Sequence, residues 1–131
     1  MSNYPNFPQD ELDCPCGCDG RMDPDFMLEI AVPMRLELGF AFVIPKGGAY
    51  RCASYDGKYG AHQGHALDIV CNSRQRHRIT TWLMYRNFRI DRGEIQGRKV
   101  TRFGNNRGAI HIDDLQHEDG KDVDVIWDYY K

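Results

Sequence analysis

The chain has 131 residues, of which 41% are hydrophobic, and a formal net charge of −2. That size and composition are typical of one globular domain with its own core. The slight negative charge argues against nucleic acid as a partner, because phosphate binding requires a clearly basic surface. No apolar run approaches the roughly 20 residues that span a bilayer, and the N-terminus lacks the basic start and apolar stretch of a secretory signal peptide. We therefore expect a protein that is made in a cytoplasm and has no membrane partner.

The five cysteines cannot all be paired as disulfides within one monomer. Three of them alternate with other residues, at Cys14, Cys16 and Cys18. Zinc sites usually place about two to four residues between cysteines, so this spacing is tighter than usual. One interpretation is a structural zinc site that also uses Cys52 or Cys71. The spacing favours another interpretation, a tight turn whose small thiols are buried as apolar groups.

Residues 1–22 show no clear periodicity and predict an irregular arm that contains these three cysteines. A helix is predicted next, because Asp23 is a good N-cap and Pro24 suits the first helical position. Pro33 removes one hydrogen bond inside this helix and should kink it near its middle, and Gly39 should end it. The face predicted to enter the core carries apolar residues at helical spacing: Phe26, Met27, Ile30, Met34 and Leu38.

Short apolar runs predict strands at residues 40–44 and 66–70. Asp68 would lie inside the second strand, where a buried carboxylate is costly unless it is paired or binds a metal. Ser73 can cap a second helix, and further short strands separated by glycine turns follow that helix. Its core side is predicted to carry Ile79, Trp82, Leu83 and Phe88. The predicted fold class is α+β, with two main helices packed on one face of a small, mostly antiparallel sheet.

Imidazole and carboxylate groups are concentrated in two stretches. The first contains His62, His65 and Asp68, between a glycine-rich approach and an apolar run, and the second contains His111 among β-forming residues. Two histidines and one aspartate are ligand types of a catalytic zinc site, in which three protein ligands leave the fourth position to water. The sequence therefore predicts a small zinc hydrolase.

Several short sequence motifs, spread over nearly the whole chain, are similar to motifs of one known family and occur in the same order. They are residues 11–18, 22–26, 36–40, 49–52, 103–104, 110–113 and 125–129. Together they resemble the zinc D-alanyl-D-alanine carboxypeptidase family, and particularly its small phage and prophage members that cut peptidoglycan peptides. The resemblance implies a hedgehog-like zinc fold.

The zinc motif of that family reads Ser-x-His-x-x-Gly-x-Ala-x-Asp and is followed later by a second histidine. Gly64 and Ala66 fit its small positions, Gly60 replaces the serine, and one residue fewer separates His62 from Gly64. His65 is the alternative to His62 as a ligand and is otherwise interpreted as a neighbour of the site or a solvated residue. The zinc ligands that the resemblance implies are His62, Asp68 and His111.

The resemblance also implies catalytic groups. Arg51 stands where the family has the arginine of Ser-Gly-Tyr-Arg, which holds the substrate's carboxylate or the oxyanion; a structural salt bridge is its alternative role. Many members carry an acid three residues before the last histidine, where this chain has Gly108. Asp113 lies two residues after His111, on the same side of a strand, and is either the general base or a residue that orients a ligand histidine. Further candidates for the base are Glu94 and Asp114.

We expect residues 1–131 to form a single zinc peptidase domain that acts as a monomer on a peptide bond of the peptidoglycan stem, as a carboxypeptidase or an endopeptidase. The likeness to phage members implies an endolysin-like protein that is released from the host cytoplasm to the cell wall, or that is part of a virion. The alternative is a non-catalytic phage structural or cell-wall-binding protein that keeps the fold. A redox or cysteine–zinc module built on the three alternating cysteines is a further alternative.

Overall fold

The computed structural model describes residues 4, 6–18, 20–52, 64–106, 108–115 and 125–128. Its helical elements are α1 (Gln9–Leu12), α2 (Pro24–Phe26), a π-helical segment (Met27–Ala31), α3 (Val32–Leu38) and α4 (Ser73–Asp91). Its strands are β1 (Ala66–Val70), β2 (Arg102–Asn106), β3 (Ala109–Asp113) and β4 (Val125–Asp128). They form one sheet in the order β1-β3-β2-β4, in which the first three strands are antiparallel and β4 runs parallel to β2. The predicted α+β class and mostly antiparallel sheet are confirmed.

The helix formed by α2, the π-helical segment and α3 begins and ends where the sequence predicts. The side chain of Asp23 accepts a hydrogen bond from the backbone N–H of Phe26 at 3.0 Å, and Pro24 occupies the first helical position. At the other end Gly39 has a φ of 75°, a left-handed conformation that glycine adopts without the steric cost of a Cβ atom. All of the residues predicted for its core face are buried.

Pro33 affects the hydrogen bonding of this helix near the predicted place. Because proline has no N–H, it cannot donate to the carbonyl of Glu29, four residues earlier. The preceding turn adopts π-helical hydrogen bonding over Met27–Ala31. The oxygen of Glu29 accepts a hydrogen bond from Nη2 of Arg86, which lies 3.1 Å away in α4. The same guanidinium donates through Nη1 to the carbonyl of Arg98. One buried cation therefore donates hydrogen bonds to backbone oxygens of two other segments.

The N-cap of α4 is Asn72, so the prediction of Ser73 as the cap is wrong. Asn72 and Gln75 form a reciprocal capping box, in which each side chain bonds to the backbone N–H of the other, at 2.8 and 3.0 Å. The amide of Asn72 thus fixes the start of the helix one residue earlier than the sequence suggested. In the described part of the chain, neither α4 nor any other helix has the length and apolar character needed to cross a membrane.

The core face of α4 differs from the predicted one at Phe88. Ile79 and Leu83 are fully buried and Trp82 packs against the core, but Phe88 is 52% exposed. At about 100° per residue, position 88 lies roughly 180° around the helix from position 79, whereas position 86 lies within about 20° of it. The core-facing position is therefore occupied by Arg86, which a search for apolar residues overlooks.

The pairing of β1 with β3 separates apolar from charged side chains. The face toward the shared core carries Leu67, Ile69, Ile110 and Ile112, which are almost fully buried. Because successive side chains of a strand point to opposite faces, the intervening positions point to the other face. There Asp68 pairs in register with His111, and Asp113 follows two residues along β3. The sheet therefore brings three predicted site residues onto one face.

Two further expectations are changed by the structure. Residues 40–44 do not form a strand and contribute only an isolated bridge between Val43 and Val70. The described part of the N-terminal arm is irregular apart from the single turn of α1, and it is anchored in the core by Phe7 and Leu12, each 2% exposed. The arm is thus part of the packed domain.

Replacing Arg86 with methionine should lower the free energy of unfolding by about 2–4 kcal/mol, because the carbonyls of Glu29 and Arg98 lose a charged donor while the aliphatic stem is kept. The matched control is Arg92→Met at the end of the same helix, where the side chain is 62% exposed and ion-paired with Glu94. It should change stability by less than about 1 kcal/mol. Urea denaturation measures both variants, and equal losses would contradict the assigned role of Arg86.

Candidate metal centres

Asp68 and His111 face each other across β1 and β3. Oδ1 of Asp68 lies 2.8 Å from Nδ1 of His111, and the two residues are direct partners in the strand register. The side chains are 14% and 7% exposed, so solvent screens their interaction only weakly. The structure thus brings together two of the three residues that the family resemblance assigns to zinc.

Asp113 holds the other ring nitrogen of His111. Its Oδ2 lies 2.8 Å from Nε2 of the imidazole and 3.0 Å from Nε of Arg102. Its Oδ1 accepts a hydrogen bond from the backbone N–H of Leu115 at 3.3 Å. The side chain is 0% exposed, so neither oxygen is open to an approaching water. Of the two roles left open for Asp113, these contacts favour orientation of the imidazole over general base catalysis.

The position of His111 between two carboxylates favours a cation at its contact with Asp68. When Nε2–H donates to Asp113, Nδ1 of a neutral imidazole presents a lone pair to the carboxylate of Asp68, and the two would repel each other. A proton removes this repulsion in the metal-free protein: burial acts to lower the pKa of His111, but the hydrogen bonds to Asp113 and Asp68 outweigh it and raise the pKa.

A zinc ion could take the place of that proton with little rearrangement. Zinc bonds of about 2.0–2.1 Å at a tetrahedral angle set two ligand atoms about 3.3 Å apart. The observed separation of Asp68 Oδ1 and His111 Nδ1 is 2.8 Å. A movement of about half an ångström would therefore admit the ion, and the donor set suits zinc.

The other residues predicted for this site are not placed in it by the described structure. His62, the third predicted ligand, lies outside the described residues. Arg51 is half-buried and directly precedes Cys52, and its role toward a substrate stays a prediction. Glu94, a further candidate for the base, lies beyond the end of α4 in an exposed ion pair with Arg92 at 3.1 Å.

Asp114 and His65 form a separate pair. Oδ1 of Asp114 lies 2.9 Å from Nδ1 of His65, and its Oδ2 lies 2.8 Å from Nε of Arg98. The other ring nitrogen of His65 lies 4.0 Å from Asp23, the N-cap of α2. The hydrogen bond with Asp114 raises the pKa of His65. These contacts direct the ring toward two carboxylates other than Asp68.

Four cysteines form a second candidate centre, which we call the four-cysteine cluster: Cys14, Cys16, Cys18 and Cys52. Their Sγ atoms all lie within 4.8 Å of one another, and the cysteines are free thiols. Four sulfur atoms at this separation can bind a metal ion. The tight turn that the sequence favoured is present and Cys14 is buried, but Cys16 is exposed and the four sulfurs lie together, so the thiols are not all buried as apolar groups. Cys71 is buried outside the cluster, and burial raises the pKa of its thiol.

A tight turn explains why a one-residue spacing works in this cluster. The N–H of Gly17 donates to the carbonyl of Cys14 at 3.0 Å, which closes a four-residue turn with Pro15 at its second position. The turn brings the sulfurs of Cys14 and Cys16 to 3.3 Å. Gly17 has a φ of 82° and open space where a Cβ atom would lie, so only its backbone conformation demands glycine.

The thiols of this cluster differ in acidity. Desolvation acts to raise the pKa of Cys14, but hydrogen bonds from the backbone N–H groups of Cys52 and Cys16 and from neighbouring thiols lower it to about 6. The thiol of Cys16, which shares a hydrogen bond with Cys14, has its pKa raised to about 12. Near neutral pH Cys14 is therefore a thiolate hydrogen-bonded to the protonated thiol of Cys16, and the thiolate is the form that binds metals.

His65 should titrate above its ordinary pKa of 6.5, because protonation strengthens its bond to Asp114. This pairing should stabilise the fold below pH 6.5, and the contribution should be lost as the pH rises through the folded-state pKa. Asp114→Asn should lower the pKa of His65, as measured by NMR titration of its ring signals. Asp23→Asn, which keeps a good N-cap and removes a charge 4.0 Å away, should lower it less. An unchanged pKa in Asp114→Asn would contradict the pairing.

The chain was compared with protein-family models, with curated proteins and with solved structures, and none of them matches it. The function must therefore be inferred from the geometry of the sites and from the resemblance of the motifs.

Proposed function

We propose that the protein is a zinc-dependent peptidase in which Asp68 and His111 are two of the metal's ligands. The observation that carries this proposal is the 2.8 Å contact between Asp68 Oδ1 and His111 Nδ1 across neighbouring strands. A ligand histidine whose second nitrogen is held by a carboxylate is the usual arrangement in zinc enzymes, and Asp113 supplies that carboxylate at 2.8 Å. His62 is the proposed third ligand.

Each proposed residue has a defined task. A zinc ion would supply Lewis acidity toward the scissile carbonyl and an activated water. Asp68 and His111 would hold the ion, and Asp113 would keep the imidazole of His111 in the tautomer whose Nδ1 is free to bind. Arg51 would bind the substrate's carboxylate or the oxyanion through its planar, permanently charged guanidinium.

The proposed substrate is a peptide bond of the peptidoglycan stem. This part of the proposal rests on the order and character of the motifs shared with phage-type carboxypeptidases, in particular the small residues Gly64 and Ala66 that precede Asp68. An endolysin-like role follows from the same likeness, in which the protein would act on the wall after release from a host cell or within a virion.

A non-catalytic cell-wall-binding protein with the same fold is the second candidate. The observation that favours it is that each carboxylate considered as a general base is enclosed or already paired with a cation. Asp113 is enclosed, Asp114 is bound by His65 and Arg98, and Glu94 is paired at the surface. Such a protein would bind peptidoglycan and zinc without turnover.

Zinc binding at the proposed site should shift the ring NMR signals of His111, and Asp68→Asn should reduce the affinity measured in this way because the ion loses an anionic ligand. The same variant should abolish release of amines from purified peptidoglycan. Glu94→Gln, which removes a surface carboxylate paired with Arg92, is the control and should leave both measurements unchanged. If the ring signals of His111 do not respond to zinc, the proposed site is refuted. Zinc binding without turnover would favour the non-catalytic candidate.

Asp113→Asn should weaken zinc binding at His111 by about 10–100-fold, with part of the activity recovered in excess zinc, because a neutral amide orients the imidazole less firmly. Arg102→Gln disrupts the same buried network without removing the bond to His111, so it should lower the melting temperature but leave zinc affinity nearly unchanged. If Asp113 were instead the general base, turnover would fall by about two to four orders of magnitude with zinc retained.

A further inference from the structure

The four-cysteine cluster has the dimensions of a tetrahedral metal site. Zinc–sulfur bonds of about 2.3 Å directed to the corners of a tetrahedron set the sulfur atoms about 3.8 Å apart. The sulfurs of Cys14 and Cys16 are 3.3 Å apart, those of Cys16 and Cys52 are 3.5 Å apart, and all four sulfurs lie within 4.8 Å of one another. The two shorter separations are thus a few tenths of an ångström below the value that one central ion requires, and the upper limit of 4.8 Å lies above it.

The backbone around the cluster holds the two participating segments together. The N–H of Tyr50 donates to the carbonyl of Leu12 at 3.3 Å, and the N–H of Cys52 donates to Sγ of Cys14 at 3.3 Å. A backbone donor to a cysteine sulfur stabilises the thiolate form that a metal requires. The cluster therefore forms where two segments that are far apart in the sequence are already held together by backbone hydrogen bonds.

We propose that Cys14, Cys16, Cys18 and Cys52 bind one Zn²⁺ ion in a closed structural site that fastens the N-terminal arm to the segment carrying Tyr50 and Arg51. The cluster shares no residue with Asp68 and His111, so this proposal does not depend on peptidase activity.

The donor set favours a single zinc ion. Four thiolates fill a tetrahedral coordination sphere and leave no position for water, which is the mark of a structural site. Sulfurs that all lie within 4.8 Å enclose one ion and leave no room for a cluster of several irons. Zinc imposes no geometric preference of its own, so it accommodates a ligand spacing tighter than the usual one.

The structure of the N-terminal arm explains why a metal would stabilise its packing on the domain. The helix α1 in the arm has four residues, and isolated helices of that length are not stable in water. The arm nevertheless places Phe7 and Leu12 in the core. A metal that joins residues 14–18 to residue 52 closes a long loop of chain and restricts the unfolded state more than the folded one. The same ion would fix the segment that carries Arg51.

Titration of the reduced, metal-free protein with Co²⁺ tests the site directly. One equivalent of Co²⁺ should produce a sulfur-to-cobalt charge-transfer absorption, and one equivalent of Zn²⁺ should remove it. Cys16→Ser should weaken Co²⁺ binding by at least about 10-fold and change the folded protein little, because this side chain is exposed and serine is nearly isosteric. Cys71→Ser, outside the cluster, and Asp68→Asn, at the other site, are the controls and should keep the absorption.

The fastening is tested by amide hydrogen exchange in the Asp68→Asn variant, whose other candidate site is impaired. Zn²⁺ should slow exchange of the Tyr50 N–H, which bonds to Leu12, and should raise the melting temperature. Neither change should occur once Cys16→Ser is added. Absence of a thiolate absorption with Co²⁺, or an equal loss in Cys71→Ser, would overturn the proposal. Iron in place of zinc in the protein as isolated, or a disulfide among the cluster cysteines that persists with zinc present, would also overturn it.

Discussion

The register between β1 and β3 is the constraint on which the candidate peptidase site depends. In this register Asp68 lies opposite His111, while the neighbouring positions place Ile69 opposite Ile110 in the core. A slip of β3 by one residue would turn His111 and Asp113 into the core and Ile110 and Ile112 out of it. The hydrophobic demand of the core therefore enforces the register that forms the site. The geometry of the polar site is thus set mainly by apolar side chains on the other face of the same strands.

Burial of several charges on the polar face is tolerable because they balance. Asp68 and Asp113 contribute two negative charges, and Arg102 and protonated His111 contribute two positive ones, all joined by contacts of 2.8 to 3.0 Å. A buried charge without a partner would cost several kcal/mol, whereas this network leaves none. Exchange of one proton for a divalent ion would add a single positive charge, which would suit the proposed binding of an anionic carboxylate or stabilisation of an oxyanion.

Local chemistry made much of the fold predictable. The start of the first helix at Asp23, its end at Gly39 and the strand around Asp68 depend on neighbouring residues alone, and the sequence indicated each of them. The core face of α4 was only partly predictable from apolarity, because the apolar Phe88 lies on the exposed side of the helix and the charged Arg86 on the buried side. The sequence alone could not distinguish the two possible roles of Asp113, general base or orientation of His111, because they differ in the contacts that its side chain makes.

The four-cysteine cluster could not be predicted because Cys52 is brought beside Cys14, Cys16 and Cys18 only by the tertiary fold. The turn signal of Pro15 and Gly17 was visible, but spacing alone argued against a metal.

The contact between Arg86 and the carbonyl of Glu29 has a consequence for how this chain can change over generations. Pro33 creates the unfilled acceptor, and Arg86 fills it from another helix. If Pro33 were first exchanged for a residue with an N–H group, the Glu29 oxygen would have a local donor, and an apolar residue at position 86 would then cost only the hydrogen bond to the carbonyl of Arg98. Loss of Arg86 first would leave the carbonyls of both Glu29 and Arg98 without their charged donor. Substitution of Pro33 should therefore precede substitution of Arg86 as the sequence changes. The proline, although it weakens its own helix, thus favours a charged residue at a core position.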